Sequence, residues 1–197
     1  MSAEEQAKLK NEQVRCGFVQ AAKEIILRDG VDAVSVRKIA QATGYSYATI
    51  YHYFLDLNAL LLAAKESMVG DVSAYLTQAD PSPFRTVEDL KRVNRDYAQY
   101  YLDRPHVYHF FYAYRFENEP VPNYDLQFQD GWHFAYSTFV EDGLLRREDV
   151  VTAAKTIIYT MHGLLALYFS SNGLSTESFY QDLDTATDFI IGNRREL

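Results

Sequence analysis

The segment Ser35 to Leu60, SVRKIAQATGYSYATIYHYFLDLNAL, constrains the fold more than any other part of the chain. It reads as two short helices broken at a single glycine. Ser35 is a good N-cap for a helix running to Thr43, with Val36, Ile39 and Ala40 at its apolar positions. Gly44 can adopt the left-handed conformation that ends such a helix sharply. Ser46 then caps a second helix, in which Ile50 and Phe54 are spaced one turn apart and face inward. Helix, short glycine turn and capped helix make the helix-turn-helix plan, whose second helix enters a DNA major groove. An ordinary helical hairpin with surface tyrosines would share much of this pattern.

The rest of the chain also reads as helix. Ser2 with Glu5 has capping-box spacing, and Val14, Phe18, Ala21 and Ile25 form one apolar stripe on a first helix that ends at Asp29-Gly30. Further helices are expected from about Asn58 to Thr77, from Thr86 to Asp103 and from Pro105 onward. Others are expected from Phe128 to Phe139, ending near Gly143, from Glu148 to Ser171 and from Ser175 to Asn193. Asp80-Pro81-Ser82-Pro83 is a break, and Asn118 to Asn123, with two prolines, is a loop. The fold class is all-α with about nine helices, no strand and no internal repeat.

The formal net charge of −8 argues against a nucleic-acid partner when taken over the whole chain. Its distribution removes the objection. Residues 1 to 60 hold seven Lys/Arg and seven Asp/Glu, so the acidic excess lies entirely in residues 61 to 197. DNA affinity would then rest on a few Arg/Lys contacts, helix N-termini and dimerisation, with strong salt dependence. No apolar run approaches the ~20 residues of a membrane span, the polar N-terminus lacks a secretory signal, and Cys16 is the lone cysteine. These features favour a cytoplasmic protein with no membrane partner.

The stretch RKIAQATGYSYATIYHYF followed by NALL closely resembles the TetR family of transcriptional repressors. Arg37, Ile39, Ala40, Gly44, Ser46, Thr49, Ile50, Tyr51, Phe54, Leu60 and Leu61 fit the family pattern over residues 14 to 62. The resemblance implies an N-terminal three-helix DNA-binding domain, residues 1–56, and a larger helical effector-binding and dimerisation domain, residues 57–197. It implies that Tyr47, Ala48 and Thr49 read bases and that Tyr51 and Tyr53 contact the phosphate backbone. Arg37 matches a position that reaches a guanine edge, the contact for which an Arg fork is best suited. Ser35 and Ser46 as caps and His52 on the outward face complete the expected DNA-binding set. One position departs from the pattern: the Lys usual three residues after the Phe is Leu57 here.

Beyond this head, fifteen of the 29 aromatic residues fall between Tyr97 and Phe139. A large aromatic core with amphipathic surface tyrosines explains such density. So does a pocket lined by aromatic faces for a flat or apolar small molecule, which the family resemblance implies. The pocket candidates are Tyr97, Tyr101, Phe110, Tyr114, Trp132 and His133. A further stripe, Val151, Ala154, Ile158, Met161, Leu165 and Tyr168, lies on a helix whose other side carries Ile157, Leu164 and Leu167. A helix apolar on two faces must be covered on both. The central helix of a monomer meets that need, and so does a homodimer joined by the last two helices, as the resemblance implies; Leu183 and Ile190 complete the expected dimer set. His162-Gly163 on the same helix suits either a pocket lining or a close helix crossing.

His106 and His109 lack a third ligand at supporting spacing, so no metal is expected. No catalytic motif or activated nucleophile is present, and no cofactor is expected. The expectation is a dimeric DNA-binding regulator, a repressor released from a double-stranded operator by a small, partly aromatic or apolar effector. A helical small-molecule binding protein without DNA-regulatory activity is the alternative, supported by Leu57 and by the lack of a basic N-terminal arm.

Overall fold

A computed structural model describes residues 2–77, 84–117, 129–170 and 173–192 of the protein. The break at 80–83, the loop at 118–123 and Phe128 lie outside the described residues. Among those described there are ten α-helices and no strand: α1 (Ala3–Asp29), α2 (Val36–Thr43), α3 (Tyr47–Tyr53), α4 (Leu57–Thr77), α5 (Val87–Leu102), α6 (Pro105–Tyr112), α7 (Gln129–Ala135), α8 (Ser137–Glu141), α9 (Val150–Tyr168) and α10 (Thr176–Gly192). The fold is all-α. One more helix is present than the periodicity suggests, because the segment around Tyr136 divides into α7 and α8. The Ala135 carbonyl accepts the Phe84 N–H at 2.9 Å, and Tyr136 takes φ −100°, ψ 9° with its ring buried against Phe84 and Phe139. The backbone at Tyr136 leaves helical geometry where Phe84 bonds to the Ala135 carbonyl, and there the two helices separate.

The chain packs as two compact units. The first, Met1–Tyr75 with Arg104–Pro120, is broader than the 1–56 segment because α4 and α6 share its packing. The expected stripe of α1 is inside: Phe18, Ala21 and Ile25 are buried together with Ile26, and Val14 is half-buried. Ser2 and Glu5 form the expected capping box. Ile39, Ile50 and Phe54 of the short helices are buried, as are Leu60, Leu61, Ala64 and Met68 of α4.

Two tertiary features tie α1 to its neighbours. Lys23, almost fully buried, reaches Asp71 at 2.7 Å and donates to Ser67 Oγ at 3.0 Å, joining α1 to α4. A buried ammonium needs such partners, so this polar pair sits where sequence alone shows only a lysine on a helix. Gly30, with φ +85°, ends α1 where α6 comes close. A Cβ there would lie 3.1 Å from His106 Nδ1.

The second unit, Leu76–Asp103 with Val121–Leu197, has α9 packed on α5, α7 and α10. Its core joins Leu90, Phe139, Leu145, Val150, Ala153, Ala154, Ile157 and Ile191. The α5–α10 contact carries polar links: Asn94 Nδ2 donates to Thr187 Oγ1 at 3.3 Å, and Arg95 pairs with Asp184. The segment Arg147–Tyr168, mean hydropathy 1.4, is long and apolar enough to cross a membrane by length and composition alone. Within the subunit it has a packing role, since Val150, Ala153, Ala154, Ile157, Met161, Leu164 and Leu165 are buried.

Candidate DNA-binding surface

The geometry of the two short helices follows from their caps. Ser35 Oγ accepts the Lys38 N–H at 3.3 Å and opens α2. Gly44, at φ +75°, ψ 7°, closes α2, and its N–H bonds the Ala40 carbonyl at 2.9 Å. Ser46 Oγ then accepts the Thr49 N–H at 3.1 Å, and the two hydroxyls lie 2.8 Å apart. Each bond satisfies a helix-terminal group that would otherwise be orphaned, and together they fix the angle between α2 and α3. Burying Ile50 and Phe54 sets the rotation of α3 about its own axis.

That rotation leaves Tyr47, Ala48, Tyr51 and His52 exposed, with Tyr51 52 % accessible. Arg37 and Lys38 stand exposed in the first turn of α2. Ser35 and Thr49 are half-buried, and Thr49 has its hydroxyl and N–H committed to the cap. Tyr53 differs most from an outward phosphate contact. Its ring is half-buried against Phe18, and its hydroxyl donates to Asn11 Oδ1 at 3.1 Å. Leu55, just beyond α3, is 87 % exposed and formed no part of the expected set. Leu57 is half-buried as the first residue of α4, which Asp56 caps by accepting the Ala59 N–H at 2.7 Å.

A capped, rotationally fixed short helix with a hydroxyl and aromatic outer face, set against α2 by a glycine turn, has the helix-turn-helix geometry whose second helix can enter a major groove. Residues 18–64 match the model of the family described as bacterial regulatory proteins, tetR family. No curated protein matches the chain. The amino-terminal part of the chain is thus similar to the DNA-binding domain of tetR family regulators, and the match ends within α4.

The six pocket candidates separate into three groups. Tyr97 and Tyr101 of α5 meet edge-to-face, their hydroxyls 3.5 Å apart, and Tyr97 Oη lies 3.3 Å from His162 Nε2. Phe110 and Tyr114 pack with Phe116 in the amino-terminal unit, where Lys65 Nζ sits 4.7 Å from the Phe116 ring centroid. Trp132 packs against the core of the second unit, and His133 is half-buried beside it in sequence. Tyr101 and Phe110 are buried as core, so aromatic density reflects packing at these two positions at least. Burial pulls the His162 imidazole down to about 4, which keeps it neutral beside the tyrosines.

The residues of the expected dimer stripe differ in burial. Ala154, Met161, Leu165 and Leu183 are buried inside the subunit, while Val151, Ile158, Tyr168 and Ile190 are half-buried. The outward face of α9 carries Thr152, Thr156, Tyr159, Gly163 and Leu167, and α10 presents Phe189. A Cβ on Gly163 would meet nothing within 4 Å, so this glycine marks no close crossing within the subunit. His106 and His109 are both exposed, and no group of three metal-ligating side chains occurs among the described residues.

Proposed function

We propose that the protein is a cytoplasmic repressor that binds a double-stranded operator as a homodimer and is released by a small, partly aromatic or apolar ligand. It acts by binding and not by catalysis. The outward face of α3 carries this reading: Tyr47, Ala48 and Tyr51 are exposed on a helix whose buried side and Ser46 cap leave it no other orientation. Residues 1–56 supply DNA recognition, and residues 57–197 supply effector binding and dimerisation. Tyr47 and Ala48 read base edges while Tyr51 and His52 face phosphates; Thr49 and Ser35 hold the helices that do so.

The outward face of α9 and α10 is the dimer surface, with Tyr159 and Phe189, each 66 % exposed, as its aromatic anchors. The effector is bound among the α5, α7 and α9 side chains, with Tyr97, His162 and Trp132 as the polar and aromatic handles. Effector binding releases DNA only if the ligand has higher affinity for the non-binding arrangement of the two reading heads. A footprint of the purified protein on DNA flanking its own gene, repeated over a salt series, tests the reading. Protection that weakens steeply with salt is expected. No protection at low salt would rule out the regulator.

A further inference from the structure

We propose that the amino-terminal extension of α1 is part of the DNA interface, with Lys8 and Asn11 donating to backbone phosphates beside the end of α3. This rests on the DNA-binding reading of α3. The extension is long and solvent-facing: every residue from Glu4 to Gln13 is exposed, yet the helix is begun by a complete capping box at Ser2 and Glu5. Nearly three turns of well-started helix therefore bury almost nothing within the chain and leave a long outward face, Leu9 included, free to meet a partner.

One face of the extension is registered on α3. Lys8, Asn11, Arg15 and Phe18 step at +3, +4 and +3, so they share a face. Phe18 packs under Tyr53 with ring centroids 5.7 Å apart. The Arg15 guanidinium lies 5.1 Å from the Phe54 ring centroid, and Asn11 accepts the Tyr53 hydroxyl. The hydrogen-bond inventory then decides what this edge offers DNA. A phenol carries one proton, and Tyr53 gives it to Asn11; a phosphate oxygen only accepts. The donors on this face are the Asn11 amide N–H groups, the half-buried Arg15 guanidinium behind them and, one turn further out, the fully outward Lys8 ammonium. Lys8 thereby supplies a cation on a surface where Leu57 supplies none. Glu4 continues the same face and sets the outer limit of the favourable field.

The test compares Lys8→Gln, Asn11→Asp and, as a charge control, Gln13→Glu, each on the duplex that the wild type selects and on an unrelated duplex. Gln13 is exposed two residues on, about 200° around the helix from Asn11. Asn11→Asp keeps an acceptor for Tyr53 but replaces the donor with an anion, whereas Gln13→Glu adds the same charge elsewhere. Lys8→Gln is expected to lower the slope of log affinity against log salt by about two, one for each subunit of the bound dimer, equally on both duplexes. Asn11→Asp is expected to bind roughly tenfold more weakly than Gln13→Glu, with thermal midpoints unchanged. An unchanged slope for Lys8→Gln, or equal affinities for Asn11→Asp and Gln13→Glu, overturns the inference while leaving a DNA-binding wild type intact. A wild type that binds neither duplex overturns the regulator reading as well.

Discussion

Arg37 is the residue best placed to test base reading. It is exposed in the first turn of α2, where no packing duty competes with a guanine contact. Arg37→Ala should relax preference at one operator position by about 1–3 kcal/mol, measured by binding to operators varied base by base. Uniform weakening across all bases would make it a phosphate contact instead. His162 tests the second unit in another way. Its folded pKa is depressed to about 4, so between about 6.5 and about 4 the unfolded chain takes up a proton that the folded chain does not. Stability from this residue is complete above about pH 6.5 and is lost as pH falls toward 4, by at most roughly 3 kcal/mol. Urea unfolding at neutral and mildly acidic pH should therefore show a smaller pH effect in His162→Gln than in the wild type. The sequence placed His162 on a helix but did not single out Tyr97 as its partner, because 65 residues separate them in the chain.

At the scale of elements, the turn between α2 and α3 is set by local chemistry and was largely readable. Ser35, Gly44 and Ser46 act through bonds to residues three or four positions away, so their types and spacing suffice. Gly44→Ala meets open space but must hold φ near +75°. The expected cost is about 1 kcal/mol, read from the thermal midpoint, with weaker DNA binding because α3 loses its fixed angle. The division of α7 from α8 was not readable: it falls where the Phe84 N–H reaches the Ala135 carbonyl from 51 residues away in the chain. The apolar stripe of α9 is legible in the sequence, and the structure shows that Ala154, Met161 and Leu165 of it are buried within the chain. Periodicity reports that two faces are apolar and is silent on which neighbour covers each.

For the whole molecule, charge and symmetry matter most. The acidic excess lies in residues 61 to 197 and leaves residues 1 to 60 neutral, so the proposed reading of DNA relies on two heads acting together. Tyr159→Glu, placed on the outward face of α9, should shift the protein toward monomer in sedimentation and reduce operator affinity by roughly tenfold or more. A monomer-free sedimentation profile for this variant would move the dimer surface elsewhere. The sequence by itself determined the helical class, the caps and turn of the reading head, and the family likeness of Arg37 to Leu61, because each depends on residues within a few positions of one another. Only the tertiary structure decided that Tyr53 gives its proton to Asn11, that Lys23 is buried against Asp71, and that Met161 and Leu165 belong to the subunit core. Those outcomes depend on which distant side chain arrives at a given face, and helical periodicity carries no record of that.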